Sequence, residues 1–232
     1  MSKEFYGFEK LSLVDLNDFL CASLFTGGCN FRCPYCHNSA LVIDYKRYPY
    51  FDFDEILDYL KLRKKMLDAV VISGGEPTLM EGLKEKLKQI KEIGYFIKFD
   101  TNGSNLKLLR ELVEEKLIDY VAMDIKNSKE RYNETIGVES FDFNKIQETI
   151  DYLKSDVIDY EFRTTLIKEF HDEENIKKMG KLVKGAKKLY LQKFVDHGTC
   201  IKGGFHEISL EEANKYKDIL SEYVDNVYLR GY

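Results

Sequence analysis

The sequence predicts an α/β protein, a partial (β/α)6 barrel of parallel strands with outer helices. Three observations predict it. Short apolar runs alternate with helical stretches along the chain, a pattern that implies parallel strands joined by helical crossovers. Only three prolines occur in 232 residues, and no low-complexity linker interrupts the alternation. The unusual residues collect at the C-terminal ends of successive apolar runs. In a barrel those ends ring one mouth, whereas a doubly wound sheet gathers its ligands at one switch point. The barrel is therefore preferred. Residues 1–232 read as a single domain, with a core at about 18–195 and a C-terminal helix and short strand over 205–232.

Each element has its own justification. The first run, "CASLFT" (Cys21–Thr26), leads into "GGCNFRCPYCHN". "FDEILDYLKLRKKM" has helical periodicity and precedes the second run, "DAVVIS" (Asp68–Ser73), which leads into "GGEPT". "EGLKEKLKQIKEIG" is helical and closes on Gly94, a residue that ends helices in the left-handed conformation. "YFIKFD" (Tyr95–Asp100) ends in "DTNG" and is followed by helical "NLKLLRELVEEK". "IDYVAMDIK" (Ile118–Lys126) is followed by helical "FDFNKIQETIDYLK". "DYEFRTTLI" (Asp159–Ile167) precedes "EENIKKMGKLVKG", and "KLYLQKF" (Lys188–Phe194) precedes "SLEEANKYKDILSEYV". A last short run, "NVYLRG", ends the chain.

Composition excludes several classes. Apolar content of 44% and charged content of 32% are ordinary for a globular protein. A net charge of -5 gives no general attraction to nucleic acid or anionic lipid. No run is long and apolar enough to span a membrane, and "MSKEFYGFEK" has no signal-peptide core. The expectation is a cytoplasmic protein with neither a nucleic acid nor a membrane as partner. In a reducing compartment, clustered cysteines are metal ligands or catalytic groups rather than disulfides.

Cys29, Cys33 and Cys36 are separated by three residues and then two. Soft thiolates select iron-sulfur clusters, zinc or copper(I). A structural zinc site wants four protein ligands. His37 directly follows Cys36, and adjacent residues rarely point at one metal. Cys21 lies within an apolar run and reads as a small buried hydrophobe. Cys200 lies far along the chain. Three ligands on a four-iron cluster leave one iron open, as catalysis requires, so the missing ligand is a substrate or cofactor. A zinc-binding interaction module without catalysis is the alternative from another class.

C-x3-C-x2-C with Tyr35 before the last cysteine, joined to "SGGEP" one β/α unit later, resembles the radical S-adenosylmethionine (SAM) superfamily, over nearly the whole chain. Within it, "CPYCHN" looks like the enzymes that activate glycyl-radical proteins. "GFEKLSLVD" followed by "LFTGGCNFRCPYCHN" resembles the anaerobic ribonucleoside-triphosphate reductase activating proteins in their longer form. The resemblance implies a [4Fe-4S] cluster on Cys29, Cys33 and Cys36 that reductively cleaves SAM. The resulting 5'-deoxyadenosyl radical would install a glycyl radical on a partner enzyme, anaerobic ribonucleoside-triphosphate reductase. An electron donor such as flavodoxin or ferredoxin is implied. The other enzyme reading is a radical SAM enzyme that modifies a small molecule or peptide. The absence of a cysteine-rich C-terminal extension favours the activase.

The resemblance also assigns residues. Tyr35 matches the position whose backbone meets the adenine. Ser73 to Pro77 is a tight turn in the bland reading. In the functional one, Gly74 and Gly75 let the backbone approach the SAM ammonium and Glu76 adds negative charge. "DTNG", Asp100 to Gly103, with Asn102 among the cofactor-binding candidates, is otherwise a set of good turn formers. Asp100, Thr101 and Asp124 match a site for a monovalent or divalent cation beside the SAM carboxylate, with Lys126 as a nearby positive group. "MDIK" reads equally as an ion pair at a strand end. Arg163, inside an apolar run, needs an anion: a SAM group or a structural Asp or Glu. Gln192 is a weaker cofactor-binding candidate that lines the barrel. Asp15 matches an aspartate near the substrate glycyl loop, but a Pro-Gly pair is expected after it and the chain reads "VDLNDF". His197, Cys200 and His206 are assigned to a flexible loop on the active face rather than a second metal site. His171 is placed at a helix start.

Overall fold

Every apolar run of the sequence forms a strand. The computed structural model describes residues 4–16 and 18–232. In chain order the elements are β1 (Glu4–Phe5), β2 (Gly7–Ser12), β3 (Cys21–Thr26), α1 (Ser39–Ile43), β4 (Phe51–Asp52), α2 (Phe53–Arg63), β5 (Ala69–Gly74), α3 (Leu83–Ile93), β6 (Phe96–Thr101), α4 (Leu106–Glu114), β7 (Tyr120–Asp124), α5 (Tyr132–Ile136), α6 (Asn144–Lys154), β8 (Asp159–Leu166), α7 (Glu173–Leu182), β9 (Lys188–Lys193), α8 (Leu210–Leu220) and β10 (Asn226–Arg230). The alternation gives the expected α/β class.

The chain divides into two compact units. One takes the residues up to Asn30 with Asn38–Thr101 and Asn105–Val121; the other takes Phe31–His37, Asn102–Ser104 and Ala122–Tyr232. In the first unit the strand order is β2-β3-β5-β6. β3, β5 and β6 are parallel, and β2 runs antiparallel to β3. β1 and β4 form a separate antiparallel pair. In the second unit β8, β9 and β10 are parallel neighbours.

β5 is apolar on both faces, as a parallel strand under helical crossovers is. Ala69, Val70, Val71 and Ile72 of β5 are all buried. The helices instead bury one stripe: Leu83, Leu87 and Ile90 of α3 recur at helical spacing and are all buried. Gly94 ends that helix at φ +96°, in the left-handed region that glycine tolerates. Side chains cap four helices at the N-terminus. Asp52, Asn105, Asp172 and Ser209 each accept a first-turn amide, at α2, α4, α7 and α8. Asp172 is thus the cap of α7, and His171 sits just before the helix, as expected.

Candidate active site

In the first unit the candidate residues hang on strand ends. β3 runs into Gly27, Gly28 and Cys29, and β5 runs into Gly74, Gly75 and Glu76. The two exits are bonded to each other: Gly75 N–H donates to Thr26 O (3.0 Å) and Glu76 N–H to Gly28 O (2.8 Å). The glycines are demanded by this approach. A Cβ on Gly75 would land on the Gly28 carbonyl, 2.6 Å from its carbon, and Gly74 has φ +120° with the Thr26 backbone against it. The side of Gly75 that a Cβ would fill therefore belongs to the protein's own backbone. The backbone beside Cys29 is fixed by the "GGEP" turn, and Asn38 Nδ2 adds a bond to Gly74 O at 3.3 Å.

Glu76 is completely buried. Its Oε1 accepts from Thr78 N (3.1 Å), Thr78 Oγ1 (2.6 Å) and Thr101 Oγ1 (2.9 Å). It ties the turn after β5 to the end of β6, and these donors compensate the burial of the carboxylate. Ser73 Oγ donates to Asp100 Oδ2 at 3.0 Å. Lys98, buried in β6, lies 3.3 Å from Asp100 Oδ1 and donates to the Asp15 carbonyl at 2.6 Å. The Asp15 carboxylate accepts from the buried Ser23 hydroxyl at 2.5 Å. Lys98 and Ser23 were not among the sequence candidates, although the lysine in "FIKFD" is conspicuous within an apolar run. Cys21 is fully buried, and burial, with the Asp15 charge, pushes its thiol up. It behaves as the small core residue expected.

In the second unit the cysteine loop makes a turn in which Cys36 N–H donates to Cys33 O at 3.0 Å. Cys33 is buried and Cys36 half-buried. The Tyr35 ring is buried against Phe170 and Phe205. Asp124 ends β7 between two cations: Arg163 Nε is 2.9 Å from Oδ1 and Lys126 Nζ 2.9 Å from Oδ2. Burial opposes ionisation of Asp124, but the two cations outweigh it and hold its carboxyl at about 2. Burial likewise opposes the Lys126 charge, and Asp124 outweighs that and pushes its pKa well up. The anion that Arg163 requires is thus Asp124, the structural partner considered from sequence. His171, missed as a site residue, braces this triad. Its Nε2–H donates to Lys126 O (3.1 Å) and its Nδ1 accepts from Ile167 N–H (3.0 Å). Burial drives its pKa down to about 4, against those backbone bonds. Asn102 is buried and accepts from Ser104 N–H at 2.9 Å, an Asx turn. Gln192 is half-buried on β9, in register with Thr165 and Arg230.

Thiolates are the donors an iron-sulfur cluster takes, and three of them on a four-iron cluster leave one iron open. Among the described residues no two cysteines are joined in a disulfide. Burial and the Asp196 carboxylate push the Cys200 thiol up to about 11, so it keeps its proton and donates to Tyr35 O at 3.3 Å. Among the described residues no three His, Cys, Asp or Glu side chains converge as the ligands of a single ion do. A four-iron cube takes one thiolate per iron at separate corners and does not require that convergence.

The family model of the radical SAM superfamily matches residues 23–180. A Methanocaldococcus jannaschii protein, named by inference as a glycyl-radical enzyme activating enzyme, is 35% identical over 97% of this chain and 94% of its own. Among solved structures, Streptococcus suis SuiB bound to the precursor peptide SuiA superposes with TM-score 0.69 at 16% identity, over 89% of this chain and 47% of that one. A domain of pyruvate-formate lyase-activating enzyme from Bacteroides vulgatus gives TM-score 0.57 at 21% identity, over 71% of this chain and 99% of that one. The chain belongs to the radical SAM superfamily. It is an enzyme with the partial (β/α) barrel fold of that superfamily, and its cofactors are a [4Fe-4S] cluster and SAM. When bound, the cluster supplies the electron that splits the SAM sulfonium. The zinc-module alternative is set aside on this membership.

Proposed function

We propose that this enzyme installs a glycyl radical on a partner protein, and that the partner is an anaerobic ribonucleoside-triphosphate reductase. One observation carries the reading: the 35% identity, across 97% of the chain, to a protein named for glycyl-radical enzyme activation. The spellings "GFEKLSLVD" and "LFTGGCNFRCPYCHN" support the choice of partner. Cys29, Cys33 and Cys36 hold the cluster in this reading. The backbone at Tyr35, Gly74 and Gly75 meets SAM, with Ser73, Glu76 and Asn102 shaping the turns around it. Lys126 and Arg163, both paired with Asp124, are the positive groups beside the SAM carboxylate in this reading, and Gln192 lines the wall. Asp15, held by Ser23 and Lys98, faces the incoming glycine loop. Asp100, Thr101 and Asp124 remain the cation residues of this reading. A cation at Asp124 has to compete with Lys126 and Arg163. Reducing power comes from a donor such as flavodoxin or ferredoxin.

Hydrogen abstraction works only at near-contact distance, so the partner's glycine must enter the site. The test is an anaerobic mixture of the enzyme, SAM, a reductant and the cognate reductase. A doublet glycyl-radical signal by electron paramagnetic resonance, lost with Cys36→Ala, is expected. SAM cleavage with no such signal contradicts the reading and leaves a small-molecule or peptide substrate.

A further inference from the structure

The connection from β9 to α8 passes over the cysteine loop and bonds to it at successive residues. Cys200 Sγ–H donates to Tyr35 O (3.3 Å), and Lys202 N–H donates to Pro34 O (2.8 Å). Phe205 meets Tyr35 edge-on, with ring centroids 6.3 Å apart, and stacks on Phe170 at 5.5 Å. The far end is anchored: His206 N–H donates to Glu169 Oε2 (3.1 Å), its Nδ1 lies 2.6 Å from Glu169 Oε1, and Lys168 N–H donates to His206 O (3.0 Å). Two consecutive carbonyls of the loop, at Pro34 and Tyr35, are thus engaged by a segment some 165 residues later in the chain.

The loop between Cys33 and Cys36 carries the turn bond from Cys36 N–H to Cys33 O. Pro34 has no N–H to donate. Besides the Cys36-to-Cys33 turn bond, the backbone bond from Arg32 N–H to Ile136 O (2.8 Å) ties its start. The carbonyl edge between the two cysteines is held from outside. We propose that residues 196–206 are a strap that sets the conformation of the Cys33–Cys36 turn, with Cys200 and Phe205 as positioning residues that act through Tyr35. The proposal rests on Cys33 and Cys36 being cluster ligands. It assigns a role to Cys200 and His206: neither is a metal ligand, and each fastens the strap. The thiol serves as a donor, so a hydroxyl at the same position does the same work.

The test separates the strap from the cluster by reading the loop in both states. Hydrogen exchange of the peptide covering residues 31–37 is measured in the protein without iron and again after anaerobic reconstitution. Four variants are compared with wild type: Cys200→Ala, Cys200→Ser, Phe205→Ala and Phe205→Tyr. In the iron-free protein, Cys200→Ala and Phe205→Ala are expected to speed exchange of the Cys36 amide by roughly tenfold, the loss of about one hydrogen bond's protection. Cys200→Ser and Phe205→Tyr are expected to restore it. Exchange in α8 serves as the folding control and stays unchanged. In the reconstituted protein, the alanine variants keep their iron and show a broadened or shifted resonance from the reduced cluster, which the two conservative variants do not. Unchanged exchange at 31–37 in both alanine variants overturns the strap. So does loss of iron in Cys200→Ala as complete as in Cys33→Ala, which makes Cys200 a ligand. A failure of Cys33→Ala to lose iron, with loop exchange still dependent on Cys200, overturns the ligand assignment and leaves the strap.

Discussion

Substitution of Gly75 by alanine tests the reading of the "GGEP" turn. The added Cβ would lie 2.6 Å from the Gly28 carbonyl carbon and still closer to its oxygen. Carbon atoms in contact rest at about 3.5 Å, so the two strand exits must separate by about 1 Å. That movement breaks or lengthens two bonds, Glu76 N–H to Gly28 O and Gly75 N–H to Thr26 O. Overpacking costs about 1–3 kcal/mol and each bond about 1 kcal/mol, so about 3–5 kcal/mol is expected in all. At roughly 2–4 °C per kcal/mol for a chain of this size, Tm falls by about 6–20 °C. Thermal unfolding of the iron-free protein by circular dichroism reads this directly. Gly203→Ala is the control, because nothing lies within 4 Å of a Cβ there and the backbone φ is ordinary. Iron uptake should fall with Tm, because Cys29 follows Gly28. A Gly75→Ala protein with wild-type Tm would refute the steric argument and return the glycine to a role in ligand access alone.

Three further outcomes are expected. Glu76→Ala, which strands the donors of Thr78 and Thr101, should cost about 3 kcal/mol in chemical denaturation, and Glu76→Gln should cost less because its carbonyl still accepts. Stability should fall as pH drops from about 6.5 to 4, since burial lowers the folded His171 pKa to about 4 and the unfolded chain takes up the proton first. The loss is about 3 kcal/mol and is absent from a His171→Gln protein that remains folded. Below that window Asp124, held at about 2, adds a second loss as pH falls through its folded value, and Asp124→Asn should already be destabilised by about 3 kcal/mol at neutral pH because Lys126 and Arg163 lose their counter-charge.

The strands were legible because each carries a short, mostly apolar run between helical stretches, and runs such as "CASLFT" have no competing helical period. β2 was not legible. It runs antiparallel at the side of β3 and exposes Glu9 and Lys10, so no apolar run marks it. The five-residue helices α1 and α5 were missed because helices this short draw their stability from packing rather than propensity. The cysteine spacing and the "SGGEP" turn named the family because each is a short contiguous motif. The supports of the site are long-range and leave no local trace. Lys98 meets Asp15 across 83 residues, and Cys200 meets Tyr35 across 165. Arg163 signalled a need for an anion, but nothing in its own strand named Asp124.

The central claim is that three thiols, and no fourth, hold the cluster. The direct measurement is iron content and SAM cleavage after anaerobic reconstitution of the five single Cys→Ala proteins. Cys29→Ala, Cys33→Ala and Cys36→Ala should each lose four-iron binding and SAM cleavage, while Cys21→Ala and Cys200→Ala retain close to four irons. Loss of iron in Cys200→Ala to the level of Cys33→Ala, or full iron in any of the first three, would contradict it.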